Sequence, residues 1–151
     1  MVKQQFNDYD YDNRINRHLA KIKKCVSQSD YTLVEKYHTQ MIISSMAVAT
    51  QAKNLEVIAS LSTMIEQEWT TMSKDNINNL VANVMRNHSE NGRETHASYD
   101  HKKILKLWFR FVKRGNRLHK KVGTPDELFD VVMKEVKNNL VREQLIDEKD
   151  I

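Results

Sequence analysis

Turn-forming residues are nearly missing, with three glycines and one proline in 151 residues. A β-sandwich needs frequent turns built largely on those two residues, so an all-β sandwich is not expected. Cysteine occurs once, at Cys25. That rules out an internal disulfide framework and, with the histidines scattered, a cysteine-rich zinc site. A reducing cytoplasm is the expected setting, and no metal or cofactor is implied. Membrane-length apolar runs are missing as well. A span needs about 18 or more consecutive apolar residues, whereas MIISSMAVA (41–49) is interrupted by serines. The polar start MVKQQFNDYDYDN is not expected to act as a signal peptide. The most specific absence is of acids: none occurs between residues 101 and 121.

What is present is a globular balance, 40% apolar and 29% charged, which suits one compact domain with tails. The formal charge of +4 hides a strong asymmetry. Residues 1–30 carry a net +2, residues 31–100 a net −3, residues 101–121 a net +9 and residues 122–151 a net −4. A local field of one sign focuses oppositely charged ligands better than a dispersed charge does.

Helical periodicity runs through the chain and predicts an all-α fold, a small orthogonal bundle of five to six helices. After a polar arm (1–11), a first helix opens near Asp12 and carries Ile15, Leu19, Ile22 and Val26 on one stripe. A second, capped by Asp30, carries Leu33, Val34, Tyr37, Met41 and Ile42. A third runs from about Thr50 to Glu66 on Leu55, Val57, Ile58, Leu61, Met64 and Ile65. Trp69 falls in a connection. Ser73, with Asn76 three residues on, caps a fourth helix on Ile77, Leu80, Val81, Val84 and Met85, with Gly92 as its C-terminal stop. Thr95 opens a fifth helix on Ile104, Leu105, Leu107, Trp108, Phe111 and Val112, closed at Gly115. The start TPDE (124–127) predicts a sixth, with Leu128, Phe129, Val132 and Val136 as its face. The helical domain is expected over 12–141, followed by a linker over 142–151.

Sites of standard chemistry are missing. DYDYDN (8–13) begins like a calcium loop, but Asn13 stands where glycine is needed and Leu19 where glutamate is needed. His96 and His101 do not have the i, i+4 spacing of a helical metal pair. No glycine-rich phosphate loop and no nucleophile beside a base is legible, so the chain is not expected to be an enzyme.

The basic segment is the informative one. Lys102, Lys103, Lys106, Arg110 and Lys113 are spaced to form an arc opposite Leu105, Trp108 and Val112. Duplex DNA carries one negative charge per roughly 1.7 Å of axis, and neutralising its phosphates releases counterions. A row of cations on a rigid helix matches that lattice. The helix start adds Thr95, His96, Ser98, Tyr99 and His101, polar groups able to reach bases or phosphates. Two other readings stay open: a solvated charged face, and a helical interaction module whose basic strip docks an acidic protein or an anionic membrane surface.

The order of segments resembles the N-terminal core-binding domain of tyrosine recombinases, the phage-integrase type, in its archaeal variety. The resemblance rests on VEKY (34–37), ATQAKNLEVI (49–58), WTTMSKDNINNLV (69–81), ETHASYDHKKILKLWFRFV (94–112) and LIDEKDI (145–151). The last of these is similar to the junction at which the family's catalytic domain begins. The resemblance implies a SAM-like bundle forming one arm of a clamp on double-stranded DNA. It implies DNA contacts from Thr50, Gln51, Lys53 and Asn54 on one helix, and from His96, Tyr99, Lys102, Lys103 and Lys106 on another, with Arg110 added by the charge pattern. It also implies, as partners, the C-terminal catalytic domain of the same protein and further copies of the chain in a tetramer on DNA. The family's nucleophilic tyrosine and its arginines belong to that catalytic domain, and nothing in this chain matches them. The expected role is DNA binding without strand cleavage, and no membrane association is expected.

Overall fold

The computed structural model describes residues 10–118, 122–134 and 136. Most of the N-terminal arm, the linker over 142–151, and Lys120 and Lys121 of the basic segment lie outside the described residues. Within them the fold is all-α, with no strand. It has five helices: α1 (Tyr11–Cys25), α2 (Gln28–Ile43), α3 (Val48–Ser62), α4 (Lys74–His88) and α5 (His96–Lys113). Single 3-10 turns occupy Trp69–Thr71 and Asp126–Leu128.

Local chemistry sets the helix ends. Ser73 and Asn76 form a reciprocal capping box at the start of α4, and Thr95 and Ser98 form one at the start of α5. Gly115, at φ 80°, ends α5 while the Asn116 N–H bonds the Phe111 carbonyl at 3.0 Å, the six-to-one bond of a Schellman stop. Three expected boundaries move. The N-cap of α1 is Asp10, not Asp12. The cap of α2 is Ser27, whose hydroxyl accepts the Asp30 N–H, so Asp30 stands in the first turn. Helix α3 stops at Ser62 rather than Glu66: the backbone tightens to i→i+3 bonds at Thr63 and Met64, and the Thr63 hydroxyl donates to the Ser60 carbonyl at 2.7 Å.

Two expectations about connections are corrected. Asn91 and Gly92, both at positive φ, make a two-residue turn closed by paired bonds between Glu90 and Arg93, so Gly92 is a turn residue and not a helix stop. No sixth helix follows Thr124 among the described residues. Pro125 sits at the cap position with extended ψ, and the chain makes only i→i+3 bonds at Leu128, Phe129 and Val131. The Val132 carbonyl is held instead by the Lys102 ammonium at 2.6 Å. Leu128 and Val131 are buried while Phe129 and Val132 are exposed, so the expected face does not form.

The core is built around α3, which packs along α1 and against α2 and α5. Tyr37, Trp69, Trp108, Phe109 and Phe111 are fully buried. Tyr37 meets Trp108 and Phe111 edge-on, and Trp69 meets Trp108 and Phe109 the same way, with centroids 5.1–5.6 Å apart. Such pairs each add about 0.5–1.5 kcal/mol beyond the area they bury. Trp69 reaches this cluster because the Asp30 carboxylate accepts its backbone N–H at 3.1 Å.

Candidate nucleic-acid interface

At about 100° per residue, the long basic helix α5 has two faces. Ser98, His101, Leu105, Trp108 and Val112 are buried on one. The other carries His96 and Lys103, exposed, and Tyr99, Lys106 and Arg110, half-buried. Lys103, Lys106 and Arg110 have no ion-pair partner among the described residues. They line a cleft of about 240 Å³ between α5 and the segment 124–133. Leu107, Leu128 and Met133 supply its apolar walls and Thr124 its rim. Among the described residues, no acid lines it. The Arg110 Nε is buried without a hydrogen-bond partner among the described residues.

The expected arc of five cations is therefore corrected to three. Lys102 is 5% exposed, its ammonium 2.8 Å from Glu94 and 2.6 Å from the Val132 carbonyl. It joins the loop before α5 to the segment after it. Lys113 donates to the carbonyls of Thr70 and Met72 at 2.9 and 2.7 Å and pairs with Glu127 at 3.6 Å. Both lysines satisfy internal groups, so neither ammonium is offered to a phosphate in this structure.

The polar groups expected at the two helix starts divide in the same way. Gln51 is buried, donating to the Met46 carbonyl at 2.8 Å and pairing with His38 at 3.2 Å. Asn54 is buried between Tyr37 and the Thr50 carbonyl. These two do not face solvent. Thr50 is exposed, and Lys53 is half-exposed in a 3.6 Å pair with Glu56. On α5, Thr95 and Ser98 are committed to the capping box, and the Thr95 hydroxyl also bonds the His88 carbonyl.

His101 is buried and stacked on His88, with centroids 3.9 Å apart. Its Nδ1 lies 2.8 Å from the Ala97 carbonyl. A carbonyl only accepts, so Nδ1 carries the proton and Nε2 accepts from the Ser60 hydroxyl at 3.4 Å. Burial lowers the His101 pKa below 6.5; the Ala97 bond opposes this, and the fields of His88 and Lys53 add to it. Lys53 thus acts on His101, which stands about 200° around α5 from Lys103. The structure gathers Lys103, Lys106 and Arg110 into one site and leaves Thr50 and Lys53 on the α3 side.

The cleft walls were not legible in the sequence as a site. Leu107 reads as one more apolar position of the α5 stripe, and Leu128 and Met133 reach it only because the segment after Pro125 folds back. Comparison of the chain with known protein families, with curated proteins and with solved structures finds no match. Among the described residues, no helix is long and apolar enough to cross a membrane.

Proposed function

We propose that the protein binds duplex DNA through the solvent face of α5, as the N-terminal arm of a site-specific recombinase. The observation that supports this is the presence of Lys103, Lys106 and Arg110 on one rigid helix face without an acidic partner among the described residues. Phosphates are held by these cations, with His96 and Tyr99 beside them on the same helix face. Strand cleavage belongs to a catalytic domain outside this chain, as the resemblance to the core-binding domains of tyrosine recombinases implies.

The test is a salt titration on a fluorescent duplex. With Lys103, Lys106 and Arg110 as the contacts, log K falls against log salt with a slope of about −3. The double variant Lys103→Glu/Lys106→Glu abolishes binding at low salt and leaves helical circular dichroism unchanged. Retained affinity in that variant, or affinity insensitive to salt, refutes the reading.

A second reading, a helical protein-interaction module, is favoured by an exposed apolar group where α2 meets α3: Ile42 at 55%, Ile43 at 68% and Val48 at 43% exposure. Concentration-dependent self-association without duplex binding is the outcome that selects it.

A further inference from the structure

We infer that the cleft between α5 and the segment 124–133 is a binding site for a phosphomonoester carried on a small, partly apolar body of nucleotide size. This goes beyond duplex binding and does not depend on it. The three cations that share one face of α5 also line one small concavity.

Charge selects the head group. Lys103, Lys106 and Arg110 line the cleft and, among the described residues, no acid does. A carboxylate brings one negative charge, whereas a phosphomonoester brings about 1.5 to 2 near neutral pH together with three strong acceptor oxygens. The guanidinium is a planar fork that matches two of those oxygens, and the lysines act as point charges. The buried Arg110 Nε, without a partner among the described residues, is a further donor of that fork.

Size and polarity select the body. The cleft, at about 240 Å³, falls just below the roughly 300 Å³ at which pockets for drug-sized ligands begin. That is the scale of a phosphate with a sugar or ring. Leu107, Leu128 and Met133 give such a ring apolar surface, and Thr124 adds one polar residue to the lining.

The chemistry has two sources, a free nucleotide and the terminal phosphate of a nucleic-acid strand. The experiment titrates the full chain with adenosine monophosphate, with inorganic phosphate, and with a single-stranded oligonucleotide bearing or lacking a 5′-phosphate, following methyl resonances. Saturable shifts at Leu107, Leu128 and Met133 with adenosine monophosphate, displaced by inorganic phosphate, support a free-nucleotide site. Saturation only by the 5′-phosphorylated strand supports the site with a strand end as its source. Arg110→Gln weakens the supporting ligand at least tenfold. Arg110→Lys keeps the charge and loses the fork, and it also weakens binding. Lys103→Gln, at an exposed position, does so without a change in melting temperature. Absence of saturation with every probe, equal binding of the two oligonucleotides without adenosine monophosphate binding, or full affinity in both Arg110 variants overturns the inference. Blunt duplex lacking terminal phosphates reads the proposed function separately, so the two fail independently.

Discussion

The Tyr37 hydroxyl donates to Oδ1 of Asn54 across 2.8 Å inside the core, tying the middle of α2 to the early turns of α3. Asn54 Nδ2 is in turn satisfied by the Thr50 carbonyl at 2.9 Å. Both residues are nearly excluded from solvent, and burial pushes the Tyr37 phenol pKa well up, so it stays a donor. Tyr37→Phe keeps the ring packing and strips a buried acceptor of its donor. The expected cost is about 1–3 kcal/mol, read by urea denaturation, with the salt slope on duplex DNA unchanged. An altered slope at wild-type stability would return Asn54 to the interface.

The ion pair of Lys102 and Glu94 separates stability from binding on a single helix. Lys102→Met leaves the Glu94 carboxylate buried without its cation, a loss of about 3–5 kcal/mol. Lys103→Glu, one residue away and exposed, changes stability by less than about 0.5 kcal/mol and weakens duplex binding. Chemical denaturation and anisotropy on the two variants give opposite patterns. Equal destabilisation of both would show that the Lys102 pair contributes nothing particular to the fold.

Asp30 is a buried carboxylate with one oxygen on the Trp69 N–H and the other without a partner among the described residues. Burial raises its pKa above 3.8, against the Trp69 bond. The folded state therefore favours the protonated form. Its contribution is most favourable below 3.8 and declines as pH rises through the raised folded value. Asp30→Asn keeps an acceptor for Trp69 and removes the buried charge, so at pH 7 it is at least as stable as the wild type. Asp30→Ala orphans the Trp69 N–H and costs about 1–3 kcal/mol. Thermal melts of the pair decide the matter, and a strongly destabilised Asp30→Asn would mean that the charge itself is needed.

His101 gives the opposite pH dependence. Its folded pKa lies below 6.5, mainly through burial, so folding releases a proton when the unfolded imidazole carries one. The contribution is complete above 6.5 and is lost as pH falls from there through the folded value. His18, also lowered chiefly by burial, acts with the same sign. The melting temperature therefore drops between pH 7.5 and 5.5. His101→Gln shows a smaller drop, and His18→Gln/His101→Gln smaller still. An unchanged drop in the double variant would assign the effect elsewhere.

Local signals were legible where they act within a few residues. Ser73, Thr95 and Gly115 announce their helix ends because caps and stops are near-neighbour chemistry. The all-α class follows from periodicity and scarce turns. What sequence reasoning missed needed a second element. Lys102 lies at the edge of the buried arc of α5, and only Glu94 and the Val132 carbonyl turn it inward. Gln51 and Asn54 read as polar helix-start residues, and only His38 and Tyr37 on α2 explain their burial. The segment after Thr124 carries correct helix-start chemistry, and tertiary bonds to Lys102 and Lys113 override it.

The Lys102 bond to the Val132 carbonyl fastens the segment after Pro125 to the second turn of α5, while Asp130 of the same segment bonds Lys74 and Asn78 of α4, so that stretch is a clasp across two helices.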